Sequence, residues 1–334
     1  MFWVGRVTLI FALLTFATVE EAGFATLTLK PSRAHQAAGL TLPPLAEPPT
    51  ASVEMRLRAL SMNIYGVPLP GNERGKRAKL LSQRLAAYDL VALQEVFTPE
   101  TRRWLLRTSF PYKQVGETGT LPWQRLGNGL VVLSRYPIRR VAQLQYQACE
   151  GTDCLARKGV VFVRLELPGG ARLDVYATHL QAGRSTQAAQ VRARQLEGLL
   201  AFVERRDQGH PTMLLGDFNA LPTSSLYARV AKRAGFADAW HSRGRQHHAR
   251  APTGATLATQ NTLSPHQSWG GRIDYIFYRS GAYHRLEVLD SRIAFGEPVA
   301  GRHLSDHYGV AAQLRLLSLG RHAAGYSSPA HQRL

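Results

Sequence analysis

Several polar groups able to do chemistry sit at the ends of short apolar runs. Asn63 closes the segment 56–64, in which apolar and polar residues alternate. Glu95 follows Leu90-Val91-Ala92-Leu93-Gln94, and His179 follows Leu173-Asp174-Val175-Tyr176-Ala177-Thr178. Asp217 and Asn219 follow Met213-Leu214-Leu215-Gly216, Asp274 opens Tyr275-Ile276-Phe277-Tyr278, and Asp306 and His307 precede the final apolar run. Carboxylates delivered again and again to strand ends are costly to bury unless they bind metal or one another, which argues for one shared cleft. A few carboxylate oxygens with amides beside them suit Mg²⁺, which keeps waters and takes phosphate oxygens. None of the histidines shows the close helical spacing of a zinc pair, so proton transfer and phosphate stabilisation are their expected work. His241, His247, His248 and His266 read as surface loop residues.

Alternating strands and helices must position these groups. Strands are expected over 56–64, 90–93, 130–133, 160–165, 173–177, 213–215, 273–278 and 308–314. Residues 74–88 have helical spacing, Thr98-Pro99-Glu100 is a helix start, and 186–206 reads as a long helix with Leu196, Leu199, Leu200 and Val203 on one face. Such a succession favours two packed sheets covered by helices. Residues 1–25 read as a leader: Arg6 precedes an apolar run of about 13 residues, too short to span a bilayer but suited to a signal peptide; an uncleaved anchor or a buried helix is the other reading. A Pro-rich linker over 26–52, a catalytic domain over 53–318 and a polar tail over 319–334 complete the expected organisation.

The 334 residues are 45% hydrophobic, enough for a sizeable core, and carry a net charge of +18. That charge suits acidic partners: nucleic acid, an anionic membrane surface or a phosphorylated substrate. Arginine-rich, lysine-poor composition also arises from GC-rich coding, so charge alone does not choose among them. Cys149 and Cys154 can pair across a short loop in an exported protein, or stay free in a cytosolic one.

The blocks Leu93-Gln94-Glu95-Val96, Gly216-Asp217-Phe218-Asn219, Arg272-Ile273-Asp274-Tyr275-Ile276 and Ser305-Asp306-His307 resemble, in the same order, those of the endonuclease/exonuclease/phosphatase (DNase I-like) superfamily. Met62-Asn63-Ile64-Tyr65, Phe110-Pro111-Tyr112, the stretch from Gly129 to Ile138, Ala156-Arg157-Lys158-Gly159-Val160 and Thr178-His179-Leu180-Gln181 are similar to segments of its neutral sphingomyelinase branch. The resemblance implies an α/β fold, a four-layer α/β/β/α sandwich. It also implies a Mg²⁺-dependent phosphodiesterase, with Mn²⁺ or Co²⁺ as substitutes, that splits sphingomyelin or a related choline phospholipid into ceramide and phosphocholine.

Carried onto this chain, Glu95 holds the metal with Asn63 and Asp306 on the same side. Asp217 and Asn219 position the water and a phosphate oxygen. His307 is the general base oriented by Asp274, His179 stabilises the pentavalent phosphorus, and Lys158 contacts substrate or helps order the site. The stretch 153–158 resembles a loop that, in some members, switches pairings of Asp with Lys. The leader makes a secreted or periplasmic protein the expectation, a monomer acting on phospholipid at a membrane surface, and the positive charge predicts faster action on vesicles that contain anionic lipid. In some secreted members an apolar hairpin before the last Ser-Asp-His enters the membrane; here Leu286, Val288, Leu289, Ile293 and Phe295 lie in that stretch without paired aromatics. Two other readings stand beside this one. An exported nuclease would use the same groups on nucleic acid, and the Lys158-Gly159 segment argues for the lipid branch instead. A non-enzymatic binding module is disfavoured by intact Glu95, Asp217, Asn219, Asp274 and His307.

Overall fold

The computed structural model describes residues 55–117, 126–242 and 254–319. The expected leader, linker and nearly all of the polar tail, with His247 and His248, lie outside the described residues. Among the described residues, twelve strands form two sheets of six. The first contains β1 (Met55–Asn63), β2 (Leu90–Gln94), β3 (Tyr112–Val115), β4 (Val131–Ser134), β11 (His284–Ala294) and β12 (Gly309–Ser318), in the order β11-β12-β1-β2-β4-β3. The second contains β5 (Ile138–Gln145), β6 (Gly159–Glu166), β7 (Arg172–His179), β8 (Thr212–Asp217), β9 (Ala237–Asp238) and β10 (Asp274–Arg279), in the order β5-β6-β7-β8-β10-β9. Each sheet has one central parallel pair, β1 with β2 and β7 with β8, flanked by antiparallel neighbours.

Period-two alternation explains the layers. On β1, Leu57 and Ala59 face the opposite sheet while Leu60 and Met62 face helices; on β8, Met213 and Leu215 face the sheet while Leu214 faces helices. The middle core therefore joins Leu57, Ala92, Val163, Val175, Leu215, Ile276 and Leu314. One outer core packs α1 (Arg74–Ser82) and α2 (Pro99–Leu105) through Leu81 and Leu105. The other packs α3 (Thr186–Glu204) and α4 (Ser225–Ala228) through Leu196, Leu199, Phe202 and Leu226. This is the expected four-layer α/β/β/α sandwich. Side chains such as Leu60 and Leu215 are fully buried, each stabilising the fold by about 1.5–3 kcal/mol.

Local signals set the helix ends. Thr98 accepts from Thr101 N and Pro99 takes the first helical position; Ser185 caps α3 by accepting from Ala188 N. The helix expected over 74–88 breaks after Ser82 into a short turn at Leu85–Ala87, because Tyr88 is already extended to feed β2. The apolar pattern does not predict β5 or β11. Both are largely half-buried and carry exposed charged residues, Arg139, Arg140, Arg285 and Arg292, since each lies at a sheet edge. The apolar residues expected to bear on a membrane hairpin are part of β11 or beside it: Leu286 and Val288 join the middle core, and Phe295 packs on an outer one. Among the described residues, no helix is long and apolar enough to cross a membrane.

Candidate active site

Strand direction brings the polar ends to one edge of the sandwich. Asn63 ends β1 and Glu95 follows β2, its parallel neighbour. His179 pairs in register with Asp217 across β7 and β8, and Asp217 pairs with Asp274 across β8 and β10. His307 lies two residues before β12, the antiparallel neighbour of β1. Two glycines allow close approach here. A Cβ at Gly216 would lie 2.1 Å from the Thr178 carbonyl oxygen, and one at Gly66 would lie 2.2 Å from that of Glu95.

A continuous set of contacts links the two sheets. Asn63 Nδ2 donates to Glu95 Oε1 at 2.9 Å and to Asp217 Oδ2 at 3.2 Å. His307 Nε2 is 3.9 Å from Asp217 Oδ2, and its Nδ1 is 2.9 Å from Asp274 Oδ2. Asp217 Oδ1 accepts from Asn219 N at 2.9 Å. On the far side of Asp217, His179 Nε2 faces Lys158 Nζ at 3.0 Å, Asn219 Nδ2 at 3.3 Å and Asp217 Oδ2 at 3.4 Å. All the site residues expected from sequence thus gather at one edge, with Asp306 beside His307.

The electrostatics follow from burial. Burial, and next the charge of Asp274, pushes Asp217 up to about 7. Burial alone would lower His307, but Asp274 and then Asp217 override it and hold the imidazole well above its usual value. Burial, then the charges of Lys158 and His307, holds His179 well below it. Glu95 is raised by burial and then by Asp306, and Asp306 is itself raised by burial.

These residues fit a divalent cation. Among the described residues, buried Glu95 Oε2 and Asp274 Oδ1 have no hydrogen-bond partner, and the charge of Asp306 adds to burial in disfavouring an ionised Glu95. Ligand atoms of Asp217, Asp274 and His307 also lie within 4.8 Å of one another and could hold a metal. The side-chain amide of Asn63 is fixed at both ends. Its Oδ1 accepts from Tyr65 N at 3.0 Å, so the amide turns its N–H groups to the carboxylates and orients Glu95.

Backbone strain marks the same edge. Glu95 has φ 61°, Tyr65 52° and Asn219 48°, a left-handed region costly for residues other than glycine. Lys158 is buried, and its ammonium also donates to Asp153 Oδ2 at 2.7 Å and to the Leu180 carbonyl at 2.9 Å. Asp153 lies inside the loop closed by the Cys149–Cys154 disulfide. That loop docks on the segment after His179 through Gln181, which exchanges bonds with the Glu150 backbone, and through Ala182 N donating to Asp153 at 2.6 Å.

Three supporting residues escape a reading of sequence. Ser305 Oγ donates to the Asn63 carbonyl at 2.7 Å and accepts from His307 N at 3.2 Å. Thr256 Oγ1 accepts from Asp274 N at 3.2 Å. Buried Arg77 donates to the carbonyls of Ile64, Tyr65 and Leu304, bracing the loop that leads to Asp306. Only Ser305 had a signal, its place in the Ser-Asp-His block. His241 accepts from Arg272 at 2.9 Å.

The endonuclease/exonuclease/phosphatase family matches residues 60–307. A sphingomyelinase of Mycobacterium tuberculosis is 28% identical over 278 residues, covering 78% of this chain and 52% of that protein. The chain spans about half to two thirds of the length of the curated relatives it matches. Among solved structures, a beta toxin variant from Staphylococcus aureus with bound magnesium ions superimposes with TM-score 0.59 at 20% identity, covering 77% of this chain and 99% of that one. D. rerio TDP2 complexed with single strand DNA product gives TM-score 0.64 at 21% identity, covering 78% and 98%. At such identities these structures speak to the fold.

Proposed function

The chain belongs to the endonuclease/exonuclease/phosphatase family, and from that premise we propose that it is a Mg²⁺-dependent phosphodiesterase of the neutral sphingomyelinase type. The observation that carries this reading is the connected row Glu95–Asn63–Asp217–His307–Asp274, with Lys158, His179 and Asn219 beside it.

Glu95 and Asp306 would hold the ion, with Asn63 orienting Glu95. When bound, Mg²⁺ supplies neutralisation of phosphate charge and of the leaving alkoxide. His307 Nε2 takes a proton from the attacking water while Asp274 keeps the ring oriented through Nδ1. Asn219 and His179 stabilise charge developing on the phosphoryl oxygens. Lys158 reaches substrate by exchanging one of its three present partners for a phosphate oxygen.

Sphingomyelin is the first substrate to test, since the curated relatives are named as sphingomyelinases. The nuclease reading has in its favour a shared fold with a DNA-bound structure and the charge of +18. A disulfide suits an oxidising compartment, so export after loss of the leader belongs to the same proposal. The deciding experiment offers Mg²⁺-loaded protein sphingomyelin vesicles, lysophospholipid, bis-p-nitrophenyl phosphate and plasmid in parallel at physiological salt. Intact vesicles beside efficiently cut plasmid would replace this reading with the nuclease one.

A further inference from the structure

Among the described residues, six large hydrophobic side chains are exposed: Leu69, Tyr112, Val141, Leu155, Leu221 and Tyr283. Single exposed apolar residues are ordinary; a group of them at one place is not. The three leucines fall at the edge that carries the catalytic row. Leu69 lies in the loop after β1, Leu221 in the loop after β8, and Leu155 in the segment that leads into β6, where Val160 pairs with Thr178 beside His179. The two tyrosines lie at the opposite end of the sandwich. Tyr112 pairs with Ser134, which also pairs with Leu90 at the start of β2, and Tyr283 precedes His284, which pairs with Ser318 at the end of β12. Val141 is midway along the edge strand β5.

The tip at Leu69 is suited to a medium poor in hydrogen-bonding partners. Exposed Pro68 and Pro70 flank it, and neither has an N–H to satisfy. Leu69 N donates to the Val67 carbonyl at 2.8 Å, and the Leu69 carbonyl accepts from Arg74 Nη1 at 3.3 Å. Buried Asn72 donates to the carbonyls of Tyr65 and Val67, both at 3.1 Å. Taking residues 68–70 out of water therefore leaves no backbone N–H unpaired, which removes the main cost of burying a loop. Leu155 follows exposed Cys154 of the disulfide, whose sulfurs are only weakly polar. Leu221 lies against Gly271 and lines one cavity with Trp269. Exposed Arg184 lies over the Trp269 ring, 4.8 Å from its centroid. An indole capped by a guanidinium suits the headgroup level of a bilayer, with an apolar body and a wet, cationic top.

A phosphodiester held among lipid headgroups can reach His307 and Lys158 only if this edge meets the lipid surface. Strand β11 does not supply the contact, because Leu286, Val288 and Phe295 are engaged in the cores. We propose that Leu69, Leu155 and Leu221 form a docking edge that enters the apolar boundary of a phospholipid surface, with Arg184 against its anionic headgroups. The net charge of +18 complements such a surface. The proposal rests on the lipid reading and names the part of the molecule that meets the membrane.

The test is the partition of the protein, as its native host processes it, onto sedimenting vesicles of phosphatidylcholine and phosphatidylserine in EDTA, where no lipid is hydrolysed. Each of Leu69→Ser, Leu155→Ser and Leu221→Ser should weaken binding about fivefold, and the triple variant about 100-fold. Turnover of bis-p-nitrophenyl phosphate by the Mg²⁺-loaded variants should stay at the wild-type level, which also shows that they fold. Tyr112→Ser and Tyr283→Ser, at the other end, should bind vesicles like wild type. Undiminished binding by the triple variant, or an equal loss in the tyrosine variants, overturns the proposal. So does a wild-type chain that ignores vesicles and self-associates through the same leucines. Sphingomyelin vesicles bound as expected yet left intact with Mg²⁺ would overturn the choice of sphingomyelin and not the docking edge.

Discussion

The side-chain amide of Asn63 reaches Asp217, 154 positions further along the chain and in the other sheet, at 3.2 Å while also holding Glu95 at 2.9 Å. One neutral side chain thus joins the carboxylate expected to hold metal to the one that faces the imidazole. Asn63→Ala should raise the Mg²⁺ needed for half-maximal activity about 10- to 100-fold, the usual effect of losing a group that orients a ligand. Titration of activity against free Mg²⁺ reads this directly; an unchanged curve would remove Asn63 from the metal side. Exhaustive chelation should abolish activity in the wild-type protein.

His307→Ala should fold and lose turnover by about two to four orders of magnitude. Asp274→Asn should act in the same direction, because Nδ1 of His307 loses the acceptor that fixes its tautomer. Wild-type turnover in either folded variant, judged by near-ultraviolet circular dichroism, would defeat the general-base assignment.

Lys158 and Asp153 form a pair whose side chains are 5% and 19% exposed. Lys158→Ala leaves Asp153 without its cation and should cost on the order of 3 kcal/mol in denaturant unfolding. The double variant with Asp153→Ala should recover part of that loss. Additive costs in the double-mutant cycle would show that the pair is not coupled. Lipid hydrolysis should fall more than hydrolysis of a small aryl phosphodiester.

The raised Asp217 carboxyl predicts how the metal-free protein responds to pH. It titrates at about 7 folded and at about 3.9 unfolded, so the folded state holds this proton more tightly. The resulting stability is fully present below about pH 4 and is lost as pH rises through about 7. In chelated protein the stability gap between Asp217→Asn and wild type should therefore shift toward the variant between pH 4 and pH 8, as read by thermal melting. A gap that stays constant or moves the other way sinks the assignment.

Mass spectrometry of the protein from its native host should find the leader removed and Cys149 joined to Cys154. Reduction should cost about 2 kcal/mol, the expectation for so short a closed loop, and should loosen the segment that bears Asp153. Two alkylatable thiols on a full-length chain would be the contrary result.

The central strands were legible in sequence because both faces of each sheet are covered, so β2, β6 and β8 read as nearly continuous apolar runs. Their polar terminal residues stood out against those runs, which is why Glu95, His179, Asp217 and Asp274 could be found before any geometry. Alternation is a local property, and it fades at edges: β5 and β11, with solvent along one side, lack the signal. What only the tertiary structure decided depends on register and on the packing of one sheet against the other. That includes the turn of Asn63's N–H toward two acids, the three partners of Lys158, the brace of Arg77 across 227 positions to Leu304, and the seat of Arg184 on Trp269. Side-chain identity specifies which bonds a residue can make; the fold, by bringing distant segments within about 3 Å, selects which of them it does make.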